Sequence, residues 1–339
     1  MRKTKVLFIW KTKEPLQEYF RDNLKDFPKV ELIFPPDTEP DALIGHAPDI
    51  DIMIGWRPSP GLLEAASRLG LFNATGVGAQ HLIEPFRELN RHRSVVLCNS
   101  HGNAYLTAQH AVAMLLSLTN KIVCHHNRMM EGIWCPNDDT IQSIPLRGRT
   151  IGLLGYGAIN RNVHRFLSGF DLKFAVLKRD WSNNQPAPPT MIEKYRFDDL
   201  HRFLKSIDTL IIAVPLTSKT RGLIGERELE LLGCDGLLVN VARGAVVDEE
   251  SLYDALKERI IAGAAIDVWY EYRPEPDDKG RKYPAKLPFY ELDNIVLSPH
   301  RAASPFDDPQ RWDDVIENLK RFADGRTDFL NVMNLEREY

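Results

Sequence analysis

The stretch Thr150-Ile151-Gly152-Leu153-Leu154-Gly155-Tyr156-Gly157-Ala158-Ile159-Asn160-Arg161-Asn162-Val163 decides the fold. It reads as a short apolar strand, a glycine turn and the start of a helix. Gly155 permits the tight turn, and Gly157 lets the backbone approach a pyrophosphate lying on the N-terminus of the helix that Ala158 and Ile159 begin. The third glycine of such a fingerprint is replaced by Asn160, a bulkier residue at a place where strand and helix pack closely. Glycine turns also occur in proteins that bind no nucleotide, so the weight of this one comes from its surroundings.

Two further strand ends carry chemistry. Gly236-Leu237-Leu238-Val239-Asn240-Val241-Ala242-Arg243-Gly244-Ala245 is an apolar run that stops on a permanent cation, and Asn294-Ile295-Val296-Leu297-Ser298-Pro299-His300 ends on a histidine. In a doubly wound sheet ligands bind at the carboxyl ends of the strands, so both side chains are expected to face a site. The alternatives are a charge that returns the chain to water and a histidine that caps a strand. His300 suits proton transfer because its ordinary pKa is near neutrality. Among the ten histidines, His125 and His126 are adjacent on a helical stretch and do not share a face for a metal, and no metal site is expected.

Length and composition bound the rest. A chain of 339 residues exceeds the usual size of one core and suggests two domains. A net charge of −4 without a basic stripe argues against nucleic acid as a partner. Cys98, Cys124, Cys135 and Cys234 form neither a CxxC pair nor a dense framework, which fits reduced thiols in the cytoplasm. The apolar run Val6 to Trp10 is too short for a signal-peptide core, and no stretch approaches the roughly 20 apolar residues needed to cross a bilayer, so no membrane association is expected.

The chain resembles the D-isomer-specific 2-hydroxyacid dehydrogenases over almost its whole length. The matching stretches are Gly152 to Asn160, Ala213 to Thr217 with Thr220 to Ile224, Val239 to Glu249, Gly263 to Trp269, and Ser298-Pro299-His300. Strand patterns at Val6 to Trp10, Val30 to Phe34, Ile52 to Gly55, Leu71 to Ala74 and Val95 to Cys98 read as a first α/β sheet. A helical stretch from about Leu106 to Met130 leads to a second sheet with strands near Ile151, Phe174, Leu210, Leu237, Ala264 and Ile295. Pro309 to Ala323 has helical spacing, and the resemblance implies that it returns to the first domain. The expected architecture is therefore two Rossmann-like or flavodoxin-like α/β domains with doubly wound parallel sheets. Residues 1–104 with 302–339 would form the substrate domain, and residues 105–301 an inserted dinucleotide-binding domain. Asn183 to Pro189 reads as a loop.

The resemblance also implies a mechanism: hydride transfer between a nicotinamide cofactor and a small 2-oxo or D-2-hydroxy acid. His300 would move the proton of the substrate oxygen, and Arg243 would bind the substrate carboxylate and polarise the carbonyl. A glutamate would orient His300; Glu271 fits the distance from Arg243 and Glu275 fits the Glu-Pro context, so one of the two is expected there. Asp267 would contact the nicotinamide carboxamide or cap its strand, and Val214, Pro215, Thr220, Val241 and Ala242 would line the cofactor site. The loop around Gly76, Val77 and Gly78 matches the family's substrate loop, whose amides could bind an anion. Arg57 could read a second anionic group, and Trp134 would belong to a homodimer arm.

Cofactor choice turns on Lys178 and Arg179 at the end of the second strand after the glycine turn. Two cations there favour the 2′-phosphate of NADP, whereas Asp180, two places late, is the alternative that would serve the NAD ribose. A different class of function stays open at this point, a dinucleotide-sensing scaffold on the same fold with little turnover. The lack of charge-block or disordered segments argues for the enzyme.

Overall fold

The computed structural model describes residues 2–182, 186–305 and 307–339. Asn183, Asn184 and Gln185 of the expected loop lie outside the described residues. The chain forms two compact units, Met1–Asn103 with Pro305–Tyr339, and Ala104–Ser304. The first is thus built from two separated pieces of chain and the second from one.

The first unit holds a parallel sheet of β1 (Thr4–Phe8), β2 (Val30–Ile33), β3 (Ile52–Gly55), β4 (Leu71–Ala74) and β5 (Val96–Cys98), in the order β2-β1-β3-β4-β5. Neighbouring residues of each strand enter opposite cores, as the alternation of a strand requires. Leu7, Met53 and Phe72 pack on one face, while Val6, Phe8, Ile52 and Leu71 pack on the other with Val315, Ile316 and Leu319 of the helix Asp313–Ala323. The chain's last helix therefore belongs to the first sheet, as the resemblance implies.

In the second unit seven parallel strands follow the order β12-β11-β10-β9-β6-β7-β8. They are β6 (Thr150–Leu154), β7 (Lys173–Leu177), β8 (Glu193–Tyr195), β9 (Thr209–Ile212), β10 (Leu237–Asn240), β11 (Gly263–Ile266) and β12 (Ile295–Leu297). Both faces are covered, which is why the inner strands read as continuous apolar runs. Ile211 and Val239 point into one core, and Leu210, Ile212 and Leu238 into the other. The strand order reverses between β6 and β9, and a doubly wound sheet opens its ligand crevice at the carboxyl ends beside such a reversal. Strand β8 is a short edge strand without a sequence expectation.

The helical stretch expected from Leu106 to Met130 is two helices, Ala104–Thr119 and Ile122–Met130. The break lies at Lys121, which has φ +55°. Thr119 Oγ1 bonds back to the Leu115 carbonyl at 2.9 Å, and the Thr119 carbonyl accepts from Ile144 N at 2.8 Å. The returning chain thus takes an acceptor that a continuous helix would have used. No helix among the described residues is long and apolar enough to cross a membrane.

Candidate active site

Strand β6 ends at the switch point on Gly155, whose φ is +83°. A Cβ added there would lie 2.8 Å from both the Ala213 carbonyl oxygen and Val214 Cγ1, so the turn excludes any side chain. Gly157 caps the helix Ala158–Leu167 without a side-chain hydrogen bond, and a Cβ on it would meet nothing within 4 Å. The first turn of this helix, with Ala158 and Ile159, therefore opens onto free space. Asn160 is fully buried, and its Nδ2 donates to the carbonyls of Gly155 at 2.8 Å, Leu154 at 3.2 Å and Ile211 at 3.3 Å. The residue that departs from the glycine fingerprint ties β6 to β9 beneath the turn, so its bulk is accommodated by hydrogen bonding.

Beyond β7, Lys178 lies in a cationic corner with Lys194 and Arg161, and Lys178 and Arg179 both act on Asp180. The Lys178 and Lys194 ammonium groups lie 4.7 and 5.0 Å from the centre of the Trp181 ring, which is fixed by a 2.9 Å bond from Trp181 Nε1 to the Tyr195 carbonyl. Burial pushes the Lys178 pKa below its ordinary value; Asp180 opposes this, and the repulsion of Lys194 and Arg161 adds to it. Asp180 turns Oδ1 into its own loop, accepting from Ser182 N at 2.8 Å and Ser182 Oγ at 2.7 Å. After β9, Thr220 Oγ1 donates to the Pro215 carbonyl at 2.6 Å and accepts from Thr217 N at 2.8 Å, holding the Val214–Pro215 segment.

The ends of β10, β11 and β12 form the chemical half. Asn240 accepts from Ala242 N at 3.0 Å and donates to the Arg243 carbonyl at 3.0 Å, clamping the Val241–Ala242–Arg243 turn from within. Arg243 is half-buried, and its Nη1 donates to the Ala242 carbonyl at 2.7 Å. Among the described residues no carboxylate forms an ion pair with it. Burial works against its charge and the Tyr272 phenol favours it, but a guanidinium stays protonated. The result is a cation at a strand end available to an anionic partner.

Asp267, one residue past β11, is 1% exposed. Its carboxylate accepts from Ser298 Oγ, Arg301 N at 2.7 Å and Ala302 N at 3.0 Å, and lies 3.5 Å from His110 Nε2. Burial alone would raise its pKa, but the hydrogen bonds from His110, Ser298 and the two amides outweigh burial and lower it. Asp267 thus stays ionised and anchors the turn that carries His300. That turn explains the left-handed backbone of His300, φ +56°, because the amides of the next two residues wrap onto the carboxylate. Of the two roles expected for Asp267, its bonds support the capping one.

His300 is partly buried and faces Arg243, Asp267 and Tyr272. Its pKa lies below the ordinary value, first because of burial and then because of the Arg243 charge, with Asp267 acting in the opposite sense. Neither expected glutamate reaches it. Glu271 is exposed and its Oε1 accepts from Arg273 N at 2.7 Å, closing its own turn. Glu275 is exposed too, and among the described residues no hydrogen bond or ion pair joins either carboxylate to His300. The ring beside His300 is Tyr272, edge-on with centroids 5.3 Å apart and planes at 63°. Two other residues escaped sequence reasoning. His110, from the helix Ala104–Thr119, places Nε2 2.9 Å from Ser298 Oγ; a histidine in a mostly apolar helix was the available signal. Asn240, a polar end to an apolar strand, was the other.

Arg57, Gly76, Val77 and Gly78 belong to the first unit. Arg57 is exposed. The Gly76–Gly78 loop follows β4; its Gly76 and Val77 carbonyls accept from Ser100 N at 3.5 Å and Asn99 Nδ2 at 2.9 Å. Among the described residues the three amides of this loop have no hydrogen-bond acceptor. A Cβ on Gly76 would lie 3.2 Å from the Trp56 ring, which itself packs on His81.

Comparison with known proteins points to one family. Residues 112–302 match the family model of the D-isomer specific 2-hydroxyacid dehydrogenase NAD binding domain. A glyoxylate reductase of Thermofilum pendens is 34% identical over 257 residues, 74% of this chain and 70% of that protein. A D-3-phosphoglycerate dehydrogenase of Archaeoglobus fulgidus is 33% identical over 247 residues, 72% of this chain but only 43% of that longer relative. Among solved structures, an NADPH-dependent glyoxylate/hydroxypyruvate reductase from Sinorhizobium meliloti in complex with NADP and malonate shares the fold at a TM-score of 0.71, with 23% identity, covering 99% of this chain and 98% of that one.

Proposed function

Because the chain belongs to the D-isomer specific 2-hydroxyacid dehydrogenase family, whose members are nicotinamide-dependent oxidoreductases of 2-oxo and 2-hydroxy acids, we propose that it reduces a small 2-oxo acid with NADPH. The observation that carries this reading is the half-buried Arg243, without a carboxylate partner among the described residues, beside a histidine held on a left-handed turn. A nicotinamide cofactor fits the chain. The side-chain-free turn at Gly155 and the open helix start after Gly157 leave room for a pyrophosphate, and Lys178 and Arg179 would meet a 2′-phosphate. When bound, the nicotinamide supplies hydride to the carbonyl carbon.

The protein's own groups do the rest. Arg243 receives the substrate carboxylate in a charge-assisted contact and stabilises the negative charge that grows on the carbonyl oxygen. His300 gives its proton to that oxygen in reduction and takes one back in oxidation. Asp267, through the amides of Arg301 and Ala302, keeps the histidine turn in place. Burial leads the lowering of the His300 pKa and the Arg243 charge adds to it; an anion bound at Arg243 offsets that second part, so the substrate itself brings His300 toward the protonated form that reduction needs. The free amides of Gly76 to Gly78 and the Arg57 guanidinium are the first unit's candidates for substrate anions. The four cysteines are unpaired, in keeping with a cytoplasmic protein. The exposed side chains of Met129, Met130 and Trp134 offer an apolar face for a second copy in a homodimer.

The test is a panel of glyoxylate, hydroxypyruvate, pyruvate and phenylpyruvate with NADPH and NADH side by side. Turnover of at least one acid, faster with NADPH, is expected. Absence of turnover with all four would overturn the reading and leave a dinucleotide sensor in its place.

A further inference from the structure

Beside His300, where a carboxylate was expected, stands an aromatic ring that is itself 54% exposed. Tyr272 meets the imidazole edge-on at 5.3 Å, and its hydroxyl accepts a long 3.4 Å bond from Trp269 N. The loop presenting it is pinned on both sides. Tyr270 N and Glu271 N donate to the Pro284 carbonyl at 3.2 and 2.9 Å, Tyr270 stacks on Phe289, and Glu271 caps Arg273 N. Both neighbours of Tyr272 are thereby fixed. Among the described residues the only carboxylate acting on His300 is Asp267, which is engaged by a hydroxyl and two amides of the histidine turn and whose charge favours the imidazolium.

We propose that Tyr272 is the positioning residue of His300, fixing the imidazole by ring packing and leaving it without a carboxylate partner of its own. The assignment deepens the reading of His300 as proton donor and rests on it. An edge-on aromatic contact restricts ring rotation without adding charge. The groups facing His300 are then Arg243 after β10, Asp267 after β11 and the neutral phenol of Tyr272, so the imidazolium is supported by the charge of Asp267 and by the substrate anion bound at Arg243.

Three variants of the full chain test this: Tyr272→Ala, Tyr272→Phe and Tyr272→Glu. Each is followed by steady-state kinetics and by NMR titration of the imidazole resonance that His300→Ala removes. Tyr272→Ala is expected to lower kcat about 3- to 10-fold with little change in KM, the scale of one aromatic contact. Tyr272→Phe is expected to restore it. Tyr272→Glu is expected to raise the His300 pKa and move the reduction limb toward alkaline pH. Unaltered kcat in Tyr272→Ala, failure of Phe to rescue, or an unmoved His300 titration in Tyr272→Glu would overturn the assignment. The titration needs no substrate, so it decides the role of Tyr272 even if no 2-oxo acid is turned over, a result that would instead count against the proposed activity.

Discussion

The two halves of the seven-stranded sheet end in turns built on opposite terms. At β6 the turn is defined by what is missing: Gly155 has no Cβ to strike Ala213 and Val214, and Gly157 leaves the start of its helix open. At β11 and β12 the turn is defined by what is present, a buried carboxylate that gathers Ser298, Arg301 and Ala302 around His300. The first kind of turn offers backbone amides to a ligand, and the second aims side chains at one. A fold can hold a nucleotide with the first, but proton transfer needs the second, because a donor must be kept within hydrogen-bonding reach of its acceptor.

The largest expected effects separate these halves by function. His300→Ala should lower kcat/KM by about 10²- to 10⁴-fold, the usual contribution of a general acid. Arg243→Ala should cost about 10²- to 10³-fold, as expected when a group that stabilises the developing oxyanion is lost. In both, NADPH affinity read by fluorescence titration should stay at the wild-type level. A loss of cofactor binding in either variant would erase the division between the halves. Next in size is stability. Asp267→Ala removes the acceptor of three bonds in a buried setting, and urea unfolding should show a loss of about 3 kcal/mol. Gly155→Ala should lose about 1–3 kcal/mol through its left-handed φ, with further strain from the contact with Ala213. If Asp267→Ala proves as stable as the native chain, the carboxylate does not anchor the histidine turn.

The same contrast explains what could be read in the sequence. The parallel strands, the glycine turn and the cations after β7 were legible because each is a local pattern, contained in a run of a few residues. The places of Arg243 and His300 were legible because each follows an apolar strand. The partners of His300 were not. Asp267 meets Arg301 and Ala302 across 34 and 35 positions, and His110 meets Ser298 across 188. The loop after β11 differs from its expectation for a related reason. Glutamates at 271 and 275 have the right chemistry, but side chains along an irregular loop point according to which backbone groups are pinned, here by the Pro284 carbonyl. The single long helix failed similarly, since the bond from Ile144 N that ends it comes from a distant part of the chain.

A smaller effect is expected at the nucleotide half. Neutralising Lys178 and Arg179 together should weaken NADPH about 10-fold or more, since each charge-assisted phosphate contact is worth roughly twice an ordinary hydrogen bond, and should change NADH little. Equilibrium binding of both cofactors to the double variant gives the ratio directly. An unmoved ratio would transfer cofactor choice to Asp180 or to the neighbouring Lys194 and remove the charge argument at the end of β7.

The smallest effect is the most discriminating for the chemical half. Reduction requires protonated His300, so its rate should fall as pH rises through the histidine pKa, which burial and Arg243 hold below the ordinary value of 6.5; oxidation, which requires the neutral ring, should rise through the same pKa. A glutamate bonded to the imidazole would favour the imidazolium, and its removal would move both limbs toward acid. Glu271 closes its own turn, and Glu275 is exposed with no bond to His300 among the described residues, so solvent and salt screen both. Glu271→Gln and Glu275→Gln should therefore leave both limbs in place and kcat within about 2-fold, as for substitutions of surface charge. An acid shift in either pH–rate profile would mean that this glutamate swings onto His300 during turnover. The second kind of turn would then be completed only when substrate is bound.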